Sequence, residues 1–115
     1  MKRSNPLYPI KHLIGDPGFT SRDDLGSFCL SVGLFQGKQI QRMAKPPKNW
    51  NPWSYDTWPM LEIIAYTMDP TLKDRSAIKD LLYDYYLGGV DIVARKVANR
   101  NPMEALKKLS DLIPP

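Results

Sequence analysis

One cysteine and one histidine are all that the 115 residues offer in soft or imidazole chemistry, Cys29 and His12. A lone cysteine excludes an intramolecular disulfide, and zinc needs the His and Cys clusters that are missing here. No Ser, Asp or Glu stands at a spacing that assembles a nucleophile with a base, and the glycines form no phosphate-cradling loop. Acids after residue 68 are scattered singly, as on solvated helix faces, so no paired-carboxylate site is expected either. The chain is therefore read as a non-enzyme without metal or cofactor. No apolar run approaches the length of a membrane span, and Met1-Lys2-Arg3-Ser4-Asn5-Pro6 leads into no signal-peptide core. These absences lead us to expect a cytoplasmic protein with no membrane partner, in a reducing compartment. Strand-like alternation is lacking too, which leaves helices to build the fold.

The length suits a single domain spanning residues 1–115, with a real but modest core. Residues 1–8 are polar and broken by proline, and a short helix is predicted from Pro9 to Ile14. After the turn Gly15-Asp16-Pro17-Gly18, Thr20 or Ser21 can cap a helix with Asp23 and Asp24 in its first turn. Leu25, Phe28, Cys29 and Val32 recur at helical spacing, with Gly33 as the expected stop. A basic helix is predicted over about 35–45, ended by Pro46-Pro47. Residues 46–59 are a Pro- and Trp-rich loop, pinned by buried aromatics among Trp50, Trp53 and Trp58, of which Trp58 is the prime core candidate. A further helix opens near Pro59, capped by Asp56 or Thr57, and carries Met60, Leu61, Ile63, Ile64 and Met68. Ile78, Leu81, Leu82 and Tyr85 mark another, with Gly88-Gly89 as its expected end. Val90, Val93, Ala94, Val97 and Ala98 give a narrow stripe on a helix to about Arg100. Asn101, Pro102 and Glu104 then open a last helix bearing Leu106, Leu109 and Ile113. The expected fold is an all-α compact bundle of six to seven short helices.

What the chain has in concentration is positive charge. Residues 36–50 hold Lys38, Arg42, Lys45 and Lys48 and no acid, a local +4 that equals the net charge of the whole chain. On a helix, Lys38, Arg42 and Lys45 share one face while Ile40, Met43 and Ala44 line the other, so one side can dock and the other meet phosphates. Gln36, Gln39 and Gln41 flank the stripe, and a glutamine can offer a paired donor and acceptor to a base edge. The charge is also polarised: residues 1–50 carry eight Lys or Arg against three acids, and residues 51–115 eight against nine. Double-stranded DNA is the expected partner, reached through Gln36, Lys38, Gln39, Gln41, Arg42, Lys45 and Lys48.

Two short helices around a glycine, the second of them basic, are the parts of a helix-turn-helix. Cys29 stands four residues before Gly33, where that motif wants a small residue, and Ile40 follows seven after it. The run Ile40-Gln41-Arg42-Met43-Ala44-Lys45-Pro46, followed by Leu61 to Asp74 with Thr67, Asp69, Thr71, Leu72 and Asp74, resembles the CII-type phage regulatory proteins. It resembles more loosely the lambda-repressor-like helix-turn-helix group, and the likeness covers residues 19–82. The resemblance implies a sequence-specific, oligomeric transcription regulator of phage or prophage origin, with a helix-turn-helix core over about 19–74. Gln41, Arg42 and Met43 depart from that family's Arg-Asn-Lys order, so no operator carries over. In the Thr67–Asp74 run, Asp69 or Thr71 is expected to cap the following helix.

A lone motif of this size reads few base pairs, so a homo-oligomer is expected. The C-terminal helices, about 75–115, offer Val90, Val93, Val97, Leu106, Leu109 and Ile113 as its interface, unless these stripes close the chain's own core. The alternative function is a small helical protein-binding module, a phage-encoded inhibitor or assembly factor that meets a host protein. Its anchors would be Tyr83, Tyr85, Tyr86 and the tryptophans.

Overall fold

Ser21 starts the first long helix as expected, its side chain accepting from the Asp24 backbone N–H at 3.2 Å with Asp23 and Asp24 beside the positive helix end. The computed structural model describes residues 7–15, 18–40, 46–48, 50, 52 and 58–112; of Trp58–Met60 only the backbone is described. Among these, four α-helices appear: α1 (Arg22–Gln36), α2 (Trp58–Met68), α3 (Arg75–Val97) and α4 (Pro102–Leu109). Two 3-10 turns flank them, at Tyr8–Leu13 and Ser110–Leu112, and no strand is present among the described residues. The all-α reading holds, with fewer and longer helices than six or seven.

The reduction has one physical cause. Gly33 does not stop α1, and Gly88-Gly89 does not stop α3, because these glycines are where the two helices touch. A Cβ on Gly33 would lie under 3.0 Å from the Tyr85 carbonyl, and one on Gly89 under 3.0 Å from the Cys29 carbonyl. Cys29 and Gly33 on α1 thus face Tyr85 and Gly89 on α3, each pair one helical turn apart. The Cys29–Gly33 spacing is real, yet it serves a helix crossing and not the bend of a helix-turn-helix. The two segments expected on either side of Gly88-Gly89 form one continuous helix.

The stop of α1 is Gly37 instead, left-handed at φ 68°. Lys38 N–H bonds the Gly33 carbonyl at 3.0 Å and Gly37 N–H the Leu34 carbonyl at 3.3 Å, the paired reverse bonds that close many helices. At the start of α3 the cap is Asp74, whose carboxylate accepts from Ala77 N–H at 2.9 Å. Asp69 closes only its own turn, accepting from Thr71 N–H at 3.0 Å and from the Thr71 hydroxyl. The last helix opens with the reciprocal pair Asn101 and Glu104, as the sequence predicts.

The core gathers Leu25, Cys29, Leu30 and Val32 of α1 with Ile78, Leu82, Tyr85, Val93 and Val97 of α3, closed by Ile10 and Leu13 at one side and by Ala105, Leu109 and Leu112 at another. Among the described side chains of α2, Leu61 and Ala65 are buried. Among the described residues no helix is long and apolar enough to cross a membrane.

Candidate functional site

The basic segment begins where α1 ends. Phe35 and Gln36 are the last residues of α1, Gly37 turns the chain, and 38–40 run without helical structure along α3. The basic helix expected over 35–45 is therefore absent from its first half, because Gly37 ends one helix and the chain does not begin another before Ile40. Gln41, Arg42 and Lys45, with Met43 and Ala44, lie outside the described residues. Lys38 cannot share a helical face with them in the way its i, i+4, i+7 spacing suggested.

Backbone and side chain together hold residues 38–40 against α3. Ile40 N–H donates to the Asp84 carbonyl at 3.0 Å. Gly88 lacks the Cβ that would strike the Lys38 carbonyl, so backbone meets backbone there. The Lys38 ammonium pairs with the Asp91 carboxylate, which also takes Arg95 Nε at 3.0 Å one turn further along. The bond from Lys38 holds the Asp91 carboxyl below its ordinary value; partial burial opposes this and Arg95 adds to it. Gln36 is exposed, and its side-chain amide donates to the Leu112 carbonyl at 3.4 Å. Gln39 is exposed as well.

The segment returns to the same helix. Trp50 N–H donates to the Pro47 carbonyl at 3.0 Å, which leaves Lys48 exposed on a turn. The Trp50 ring packs edge-on to Tyr83 at 4.9 Å and tilted on Tyr86 at 5.2 Å. Of the three tryptophans expected to pin this stretch, Trp50 is half-buried against the core; Trp53 and the side chain of Trp58, the prime candidate, lie outside the described residues. The described flanks of the basic segment thus meet one stretch of α3: Asp84, Gly88 and Asp91 hold residues 38–40, and Tyr83 and Tyr86 hold Trp50.

Other expected roles move inward. Val90, Val93, Val97 and Leu109 are buried in the chain's own core, Leu106 is half-buried against it, and Ile113 lies outside the described residues. The stripe therefore does not offer itself to a second copy. Tyr83, Tyr85 and Tyr86 are buried too, at 7%, 7% and 3% exposure, so they are not surface anchors. Exposed large apolar side chains are instead Tyr8, Phe35 and Met103, each on a different element, and three that share α2: Ile63 at 66%, Tyr66 at 43% and Met68 at 39%. Burial pushes the Cys29 thiol up to about 12, where it stays protonated and packs as a small apolar group. His12 is exposed, and among the described residues no cluster of three or more His, Cys, Asp or Glu could hold a metal ion.

Asp84, Asp91 and Arg95 were missed from the sequence as partners of the basic segment. The available signal was the i, i+4 pair Asp91 and Arg95 beside two glycines in the middle of a helical pattern. Compared with known proteins, the chain matches no protein-family model, no curated protein and no solved structure.

Proposed function

We propose that the chain is a DNA-binding regulator, of the CII-type phage kind that its 40–46 and 61–74 runs resemble, and that it binds rather than catalyses. The carrying observation is that the basic segment 38–50 is held against α3 at its two described flanks, residues 38–40 and Trp50. Fastening matters because a cationic loop that is already ordered at its ends loses less freedom when it meets phosphates. In this reading Arg42, Lys45 and Lys48 neutralise phosphates, while Gln39 and Gln41 read base edges. Lys38 and Gln39 would meet DNA from non-helical backbone and not from the helix that their spacing suggested. A pair of copies remains part of the proposal, since one small motif reads few base pairs, but its interface lies elsewhere than Val90, Val93 and Val97.

The test is the Arg42→Ala/Lys45→Ala/Lys48→Ala variant, titrated with labelled duplex DNA over a salt series. Each cation removed from a phosphate should flatten the salt dependence by about one counterion, so a slope shallower by about three is expected. A variant that binds with the parent's affinity and slope would show the loop to be an ordinary solvated surface.

A second reading, a protein-binding module, is favoured by one observation. Ile63, Tyr66 and Met68 stand exposed on a helix whose only charge, Glu62, is paired with Arg75 at 3.6 Å. Such a face suits an apolar surface of another protein. Pull-down with Ile63→Ser/Tyr66→Ser beside the loop variant separates the two readings.

A further inference from the structure

The polarisation of charge is finer than two halves. Residues 51–91 carry three Lys or Arg against seven acids, whereas residues 92–115 carry five against two. The second basic group is Arg95, Lys96 and Arg100 at the end of α3 with Lys107 and Lys108 in the last turn of α4. Cations at helix ends complement the helix dipole, and that alone would explain their placement. It does not explain why cations from another element join them.

Side-chain bonds bring the head of the basic loop to this place. Asp91 holds Lys38 and Arg95 with the same oxygen. Lys96 Nζ lies 3.9 Å from Asp111, and Gln36 reaches the carbonyl of the next residue, Leu112, at 3.4 Å. Arg100 Nε donates to the Lys96 carbonyl at 3.0 Å, which keeps its guanidinium at the same end of α3. The end of α1, the last turns of α3 and the segment after α4 therefore converge. Asp91 offers one negative charge to two positive ones, so the junction keeps a positive excess. Arg95 remains 78% exposed while paired, with donors turned to solvent.

We propose that the end of the α3–α4 hairpin is a second phosphate-binding surface, joined through Lys38 to the basic segment, so that one duplex contacts both. The proposal rests on the DNA-binding reading. Arg95, Lys96 and Arg100 bind phosphates, with Asp91 and Asp111 as internal carboxylates that a phosphate displaces.

Salt-dependent binding of the full chain to a labelled duplex tests it. Arg95→Gln/Lys96→Gln should flatten the slope by about two counterions, while Lys73→Gln/Lys79→Gln, an equal charge loss in the acidic middle of the chain, should leave it near the parent's. Asp91→Asn should act in the opposite direction and strengthen binding, an outcome that a misfolded variant cannot imitate. Equal losses for the two lysine-containing pairs would reduce the effect to net charge and overturn the proposal. So would parental binding by Arg95→Gln/Lys96→Gln when the loop variant has lost affinity, and in that case the DNA-binding reading survives. A parent that binds no duplex removes both.

Discussion

The α1–α3 crossing and the exposed face of α2 use residue size in opposite ways. At the crossing, Gly33, Cys29 and Gly89 are small so that carbonyls of each helix rest on the other, and no charged group lies between them. On α2, Ile63, Tyr66 and Met68 are exposed, and among its described side chains Leu61 and Ala65 are the buried ones. The crossing is a closed junction that tolerates no added atom, and α2 is lightly docked with surface to spare. Stability should therefore be concentrated in the first region, and in the proposed reading recognition falls to the basic segment 38–50 and to α2.

Adding one methyl at the crossing should have the largest effect. Gly33→Ala and Gly89→Ala each drive a Cβ into backbone that cannot step aside, and should destabilise by about 3 kcal/mol or more, read by urea or thermal unfolding. Gly37→Ala sharpens the comparison, since its Cβ would meet open space and only the left-handed backbone resists it. A loss of about 1 kcal/mol is expected there. Equal losses at Gly33 and Gly37 would mean that the crossing is not the tight junction described.

The same glycines mark what could and could not be read from the chain. Two helix starts were legible because caps are local: Ser21 with Asp24, and Asn101 with Glu104, are decided within four residues. By contrast, α3 is capped by Asp74 and not by the expected Asp69 or Thr71, and Asp56 and Thr57 lie outside the described residues. Gly33, Gly88 and Gly89 were misread as stops because a glycine that ends a helix and one that lets another helix approach look alike in one dimension. The difference lies in a partner that is remote along the chain, Tyr85 for Gly33 and Cys29 for Gly89. Burial of Val90, Val93, Val97 and the three tyrosines was hidden for the same reason, as periodicity gives a face but not what covers it. Of the candidate site, the cations were legible by type; the carboxylate that organises Lys38 was not, since Asp91 comes close only through the crossing.

A smaller effect is expected at that carboxylate. Lys38 chiefly holds the Asp91 carboxyl low, so the folded chain releases this proton more readily than the unfolded chain does. The stabilisation is complete above the unfolded value of about 3.9 and fades as pH falls through the depressed folded value. Asp91→Asn should lose up to about 1 kcal/mol at neutral pH, as for partly exposed ion pairs, and the gap to the parent should close in acid. A gap that persists at pH values below the folded transition would point to packing rather than charge.

The smallest effect belongs to α2. Ile63→Ser and Tyr66→Ser should change stability by no more than about 0.5 kcal/mol, because both side chains are already exposed on the helix surface. A clear loss in a dilute sample would show that the face is covered after all.

The most direct measurement follows backbone amides by NMR while unlabelled duplex DNA is added to the isotope-labelled full chain. The amides of Lys38, Gln39, Ile40 and Lys48 should move with saturation, together with those of Arg95 and Lys96, while Ile63 to Met68 stay in place. Shifts confined to α2, or no shifts at all at low salt, would contradict the account.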